Sequence, residues 1–126
     1  ALDKLSKNKN GFFLMVEGAQ IDWGGHDNDT NYLITELLDF DKTIGVALDF
    51  AAKNAETLVI VTADHETGGF TLSTDDGNYN KIKPTFSTGG HSATMVPIFA
   101  KGPGEENFGG IYKNTALFQK MMDIFK

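Results

Sequence analysis

Between Thr30 and Lys53 the chain carries apolar residues at Leu33, Leu37, Phe40, Ile44, Leu48 and Ala51. That recurrence every three or four positions is the stripe of an amphipathic helix, and it commits 24 residues to one long rod. Asp29 or Thr30 is the expected N-cap, and Lys53-Asn54 closes the end. Gly45 weakens the rod by roughly 1 kcal/mol relative to Ala without ending it. A helix of this length must lay its stripe on something. The sequence offers two apolar runs of strand length, FFLMVEG before it and TLVIVT at 57–62 after it. Both lack polar alternation, which suits strands covered on two faces. Strand, helix, strand is a βαβ unit with a right-handed crossover.

The remaining pieces extend this plan. Leu2 and Leu5 sit at helical spacing and read as the last turns of a helix stopped by Asn10-Gly11. The chain begins without Met, and its natural start is expected upstream. Residues 69–87 read as an excursion: GFTLS and KIKPTFS flank the turn-rich TDDGNYN, as in a β-ribbon. MVPIFAKGPG is a third strand, and Pro97 within it suits an edge. The segment NTALFQKMMDIFK, capped at Asn114 or Thr115, is expected to turn Leu117, Phe118, Met121 and Phe125 inward. The fold class is therefore α/β, a mainly parallel sheet with flanking helices and a small β-ribbon excursion.

Composition narrows the partners. Eleven Lys+Arg against 17 Asp+Glu give a net charge of −6 without a basic cluster, which argues against nucleic acid. An acidic surface weakly repels phosphorylated substrates unless cations lie in the site. With no Cys, any metal must be held by His and carboxylates. No 18-residue apolar stretch is present, so no membrane span is expected. A chain of 126 residues fits one domain and has enough length to bury roughly 65% of its unfolded surface.

In open α/β sheets, chemistry collects beyond the carboxyl ends of the strands. His26 follows the first apolar run, His65 follows the second, and His91 lies in STGGHSAT ahead of the third. Their acidic neighbours are Glu17, Asp22 and Asp64. Asp22-x-x-x-His26, with Gly24-Gly25 between, is expected to form a turn that folds both side chains toward one point. Asp and His are good Zn²⁺ ligands at about 2.0–2.1 Å. Taken alone, the pattern reads more readily as a polar surface loop. Asp64-His65 can share a metal only where the strand has broken into a loop, because adjacent strand residues face opposite ways. His91 alone is an exposed loop histidine; as a third ligand it leaves a zinc with an open fourth position. Glu17 serves either as a helix-capping acid or as an oxygen donor for Mg²⁺. Asp27 and Asp29 read as solvated or helix-starting.

Taken in order, VEGAQIDWGGHDND, VIVTADHETGG and GGHSATMVPIFAKGPG resemble the C-terminal part of the alkaline phosphatases. The resemblance spans nearly the whole chain, and its specificity lies in the combination rather than in any one piece. It implies that residues 1–126 are the C-terminal portion of one alkaline-phosphatase-like α/β domain. It implies a phosphate monoesterase with two Zn²⁺ and one Mg²⁺ working through a phosphoserine intermediate. By the same resemblance Asp22, His26 and His91 are ligands of the first zinc. Asp64 and His65 are ligands of the second, and Glu17 is a magnesium ligand. Trp23, where family members vary, lies next to a ligand and near the substrate.

The resemblance places the nucleophilic Ser, a bridging Asp and a phosphate-gripping Arg upstream, and this chain contains no Arg at all. The isolated chain is then expected to be inactive and to have the missing N-terminal part as its partner. Homodimer formation and a periplasmic or extracellular location are further expectations from the family. Two other readings remain at this point. The chain could belong to a related two-metal phosphodiesterase or phosphomutase, or be a non-enzymatic metal-binding or structural α/β module.

Overall fold

A computed structural model describes residues 1–125. Its elements in order are α1 (Leu2–Leu5), α2 (Ala19–His26), α3 (Thr30–Lys53), β1 (Val59–Thr62), β2 (Glu66–Thr67) and β3 (Thr71–Asp75). These are followed by β4 (Asn78–Thr85), β5 (His91–Ser92), β6 (Ile98–Lys101), a 3-10 turn (Glu105–Phe108) and α4 (Ala116–Ile124).

The long helix forms as the stripe demands. Asp29 is its cap: Oδ1 accepts from the backbone N–H of Asn31 at 2.9 Å and of Tyr32 at 3.0 Å. These bonds satisfy two of the donors that a helix start leaves without partners. Helix α2 folds back along α3 through the short link 27–29, where Asn28 adopts a left-handed φ of 53°. The two helices meet at Gly24, where a side chain would put Cβ 2.6 Å from the backbone N of Leu33. Gly25 is similarly close to Thr67. The glycine pair that suggested a turn therefore lies inside a helix, and its work is close approach rather than bending. Gly24→Ala is expected to push α2 off α3 and cost about 1–3 kcal/mol. A lower urea midpoint with an unchanged slope measures it.

The run FFLMV forms neither helix nor strand and pairs with no strand among the described residues. It lies along α3 instead, with Phe12 edge-on to Phe50 at 6.2 Å between centroids and Gly18 against the Phe40 ring. Phe13 and Met15, on its other side, are exposed. A strand exists only with a ladder partner. Without a strand before α3 there is no βαβ unit, and the expected parallel sheet is not formed among the described residues. The pairings found are all antiparallel: β1 with β6, β2 with β5, and β3 with β4. Strand β6 begins directly after Pro97, whose carbonyl accepts from the Thr62 hydroxyl at 3.1 Å.

The β-ribbon is present. β3 and β4 pair from Thr71↔Thr85 to Asp75↔Asn78. They turn at Asp76-Gly77 with φ of 47° and 76°, the left-handed pair that matches strand twist. At the start of the chain, α1 ends at Leu5 rather than at Asn10-Gly11. The sequence expectation for α4 is half met. Leu117 and Met121 are half-buried, while Phe118 and Phe125 are exposed. The reason is the contact face: Ile124 packs on Gly104, and Lys120 Nζ donates to the Asn107 carbonyl. The helix is therefore fixed by positions 120 and 124, which leaves Phe118 and Phe125 on its outer side.

Little of this apolar surface is covered. Among the described residues only Leu33 and Phe108 are buried apolar side chains. Leu37, Leu38, Val46, Phe99 and Ile111 are exposed. The accessible surface is 9393 Å². A folded monomer of this size should show roughly 6,600 Å² by surface–mass scaling. Exposed large apolar side chains contribute to the excess. No described helix is long and apolar enough to cross a membrane.

Candidate metal centre

Helix α2 positions the first two donors. Asp22 and His26 are four residues apart, so they project from one helix face one turn from each other. The third comes from the loop that enters β5. That loop is tied down by short backbone bonds: Gly68 N–H donates to Gly90 O at 2.9 Å and Ser87 N–H to Gly68 O at 3.0 Å. The β2–β5 ladder then sets Thr67 opposite His91. Glu66 reinforces the junction, its carboxylate accepting from the N–H groups of Gly69 and Phe70 and from the Ser92 hydroxyl.

The result is convergence. His26 Nε2 lies 3.1 Å from His91 Nε2 and 3.4 Å from Asp22 Oδ2, and His91 Nε2 lies 3.6 Å from Asp22 Oδ1. At ligand bonds of about 2.0–2.1 Å, the edges of a tetrahedral zinc site measure about 3.3–3.4 Å. The His26–His91 and His26–Asp22 Oδ2 separations lie near that length, and His91 stands 3.6 Å from the other oxygen of the same carboxylate. His26 Nδ1 donates to Gly89 O at 2.8 Å, which fixes the proton on Nδ1 and leaves Nε2 with its lone pair facing the cluster. Donor atoms gathered this way repel one another unless a proton or a cation lies among them. The donor set fits a divalent ion with a fourth position open. Asp22, His26 and His91 are the one such group of three among the described residues.

Asp64 and His65 form a second, smaller set. They lie between β1 and β2, where the strand has indeed given way to loop. His65 Nε2 is 3.2 Å from Asp64 Oδ2, and the His65 ring stacks on His91 with centroids 3.5 Å apart. The stacking sets the two donor sets side by side. Asp64 is 85% exposed, so its carboxylate stands open to a further ligand or ion. Two donors alone do not complete a coordination shell.

Glu17 falls outside both groups. It precedes α2 and lines a shallow pocket with Gly18, Gln20, Glu36, Asp39 and Thr43. Trp23 is 57% exposed on α2, one position from Asp22 and so turned about 100° away around the helix. Asp29 caps α3, as a helix-starting acid should.

The residue that sequence reasoning missed is Thr67. Its hydroxyl donates to Asp22 Oδ1 at 2.5 Å and lies 3.2 Å from His65 Nδ1. The left-handed φ of Gly68 and Gly69, 88° and 57°, marks a sharp change of direction directly after it. The glycine pair in TADHETGG was the available signal, though it points to the turn and not to the threonine.

The alkaline phosphatase family model matches residues 1–84. Alkaline phosphatase 3 of Bacillus subtilis is 55% identical, and the match covers 100% of this chain and 42% of that protein. The solved alkaline phosphatase of the Antarctic bacterium TAB5 is 55% identical with a TM-score of 0.94, over 98% of this chain and 38% of its own. A mutant of the TAB5 enzyme, described with Mg bound in its M3 site, is 56% identical with the same TM-score and the same coverage. A chain of helices and small antiparallel ladders with convergent His and Asp donors is thus matched in sequence and in shape to one group of phosphatases. The chain belongs to the alkaline phosphatase family. It spans about two fifths of the length of these relatives.

Proposed function

We propose that this chain is the C-terminal metal-binding portion of a phosphate monoesterase with two zinc ions and one magnesium ion, acting through a phosphoserine intermediate. The observation that carries the reading is the convergence of Asp22, His26 and His91, with donor atoms 3.1–3.6 Å apart. In this reading those three hold the first zinc, Asp64 and His65 contribute to the second, and Glu17 serves the magnesium. Trp23 lies next to a ligand on α2 and borders the path of the substrate.

Divalent ions bound there supply Lewis acidity and offset the charge of a phosphate group. The chain's own residues do the holding. The Gly89 carbonyl keeps His26 in the ligand tautomer, and the β2–β5 ladder keeps His91 against α2. The acidic chain, at −6, needs such cations before it attracts phosphate.

Residues 1–126 then form one portion of a single domain, and the large uncovered apolar surface is where the other portion packs. The nucleophilic Ser, the bridging Asp and the phosphate-gripping Arg belong to that portion. Of the four serines here, Ser92 is bonded to Glu66 and Ser87 to the Gly69 carbonyl, which is consistent with a nucleophile supplied from elsewhere. A homodimer and a periplasmic or extracellular location accompany the reading.

Assaying the intact protein with Zn²⁺ and Mg²⁺ on a phosphate monoester and on a diester tests it. Clear monoester preference is expected. A strong diester preference would replace the reading with a related two-metal diesterase.

A further inference from the structure

We infer that Thr67 is a positioning residue that orients the ligands of both donor sets through one hydroxyl. The inference rests on the zinc reading above and deepens it. A threonine hydroxyl has one proton and two lone pairs. Its proton goes to Asp22 Oδ1, at 2.5 Å. Its oxygen is then left to accept, and the nearest donor is His65 Nδ1–H at 3.2 Å. That bond fixes the His65 proton on Nδ1 and leaves Nε2, which faces Asp64 Oδ2, free to ligate. Asp22 is turned at the same time, with Oδ1 tied to the hydroxyl and 3.6 Å from His91, and Oδ2 facing His26.

Thr67 is itself held firmly. It sits opposite His91 in the β2–β5 ladder, so the same residue registers the third histidine. Its side chain packs on Gly25, where a Cβ would meet the Thr67 Cβ and Cγ2 at 3.0 Å. The preceding Glu66 anchors the loop that follows through the Gly69 and Phe70 N–H groups. A side chain fixed on several sides can fix others. Ligand-orienting partners of this kind typically contribute 10- to 100-fold in metal affinity.

The test compares Thr67→Val, Thr67→Ala and Thr67→Ser with the unmodified intact protein. Zinc affinity is read by chelator competition, and ligand geometry by the visible absorption of the Co²⁺-loaded protein. Thr67→Val keeps the shape and removes the hydroxyl; it should bind zinc about 10- to 100-fold more weakly and show an altered Co²⁺ spectrum. Thr67→Ala should do the same, and it serves if the valine disturbs folding. Thr67→Ser should restore affinity to within a few-fold. Unchanged affinity and spectrum in Thr67→Val, or a serine variant as weak as the valine, would overturn the positioning role while leaving the zinc reading intact. Failure of the unmodified protein to bind zinc would remove the zinc reading and this inference with it.

Discussion

His91→Ala is expected to weaken zinc binding by more than about 100-fold, since removing a direct ligand should exceed the 10- to 100-fold cost of losing a ligand's supporting partner. The histidine has two functions in the geometry. It supplies Nε2 to the group with Asp22 and His26, and it stacks on His65 at 3.5 Å. Loss of the ring leaves two donors on α2, which is an incomplete set for tetrahedral zinc. The β2–β5 ladder is made by backbone and survives the change, so circular dichroism should be close to that of the unmodified protein. Zinc titration by calorimetry reads the effect. His26→Ala should weaken binding at least comparably, because it removes both a donor and the bond to Gly89. A titration indistinguishable from the unmodified protein would place the zinc elsewhere.

The second large effect concerns the 126 residues on their own. With saturating Zn²⁺ and Mg²⁺ they are expected to give no phosphate-ester turnover above the metal-only background. The chain has no Arg to grip the phosphoryl oxygens, and none of its four serines stands in the sequence context that the family resemblance expects of the nucleophile. Two of them are already bonded within the loops of the centre. The isolated chain should also bind a hydrophobic dye strongly, since Phe13, Met15, Leu38, Val46 and Phe99 are open to water. Adding the separately expressed remainder of the protein should lower dye fluorescence and restore turnover. Robust zinc-dependent turnover by the 126 residues alone would refute the division of labour proposed here.

What the sequence disclosed depended on whether the deciding interactions were local. The α3 helix and its Asp29 cap are local properties, as is the Asp76-Gly77 turn, and each could be read directly. The parallel sheet could not. FFLMV has the composition of a covered strand, but a ladder needs a second segment, and none of the described residues supplies it. Phe118 and Phe125 went astray for a related reason: periodicity identifies an apolar face without saying what meets it. The centre was legible in its residue types and order, which carried the family resemblance. Its local shape was read wrongly at Gly24-Gly25, because glycine serves tight helix packing as well as turns. Thr67 was invisible because its importance lies in three neighbours distant along the chain from one another.

The central claim is that Asp22, His26 and His91 surround one divalent ion. Zinc-edge X-ray absorption on the intact protein, carrying one equivalent of Zn²⁺, addresses that claim most directly. The account predicts a shell of N and O atoms at about 2.0–2.1 Å with the multiple-scattering signature of two imidazoles, reduced to one in His91→Ala. A zinc environment without imidazole, or one that the substitution leaves untouched, would contradict it.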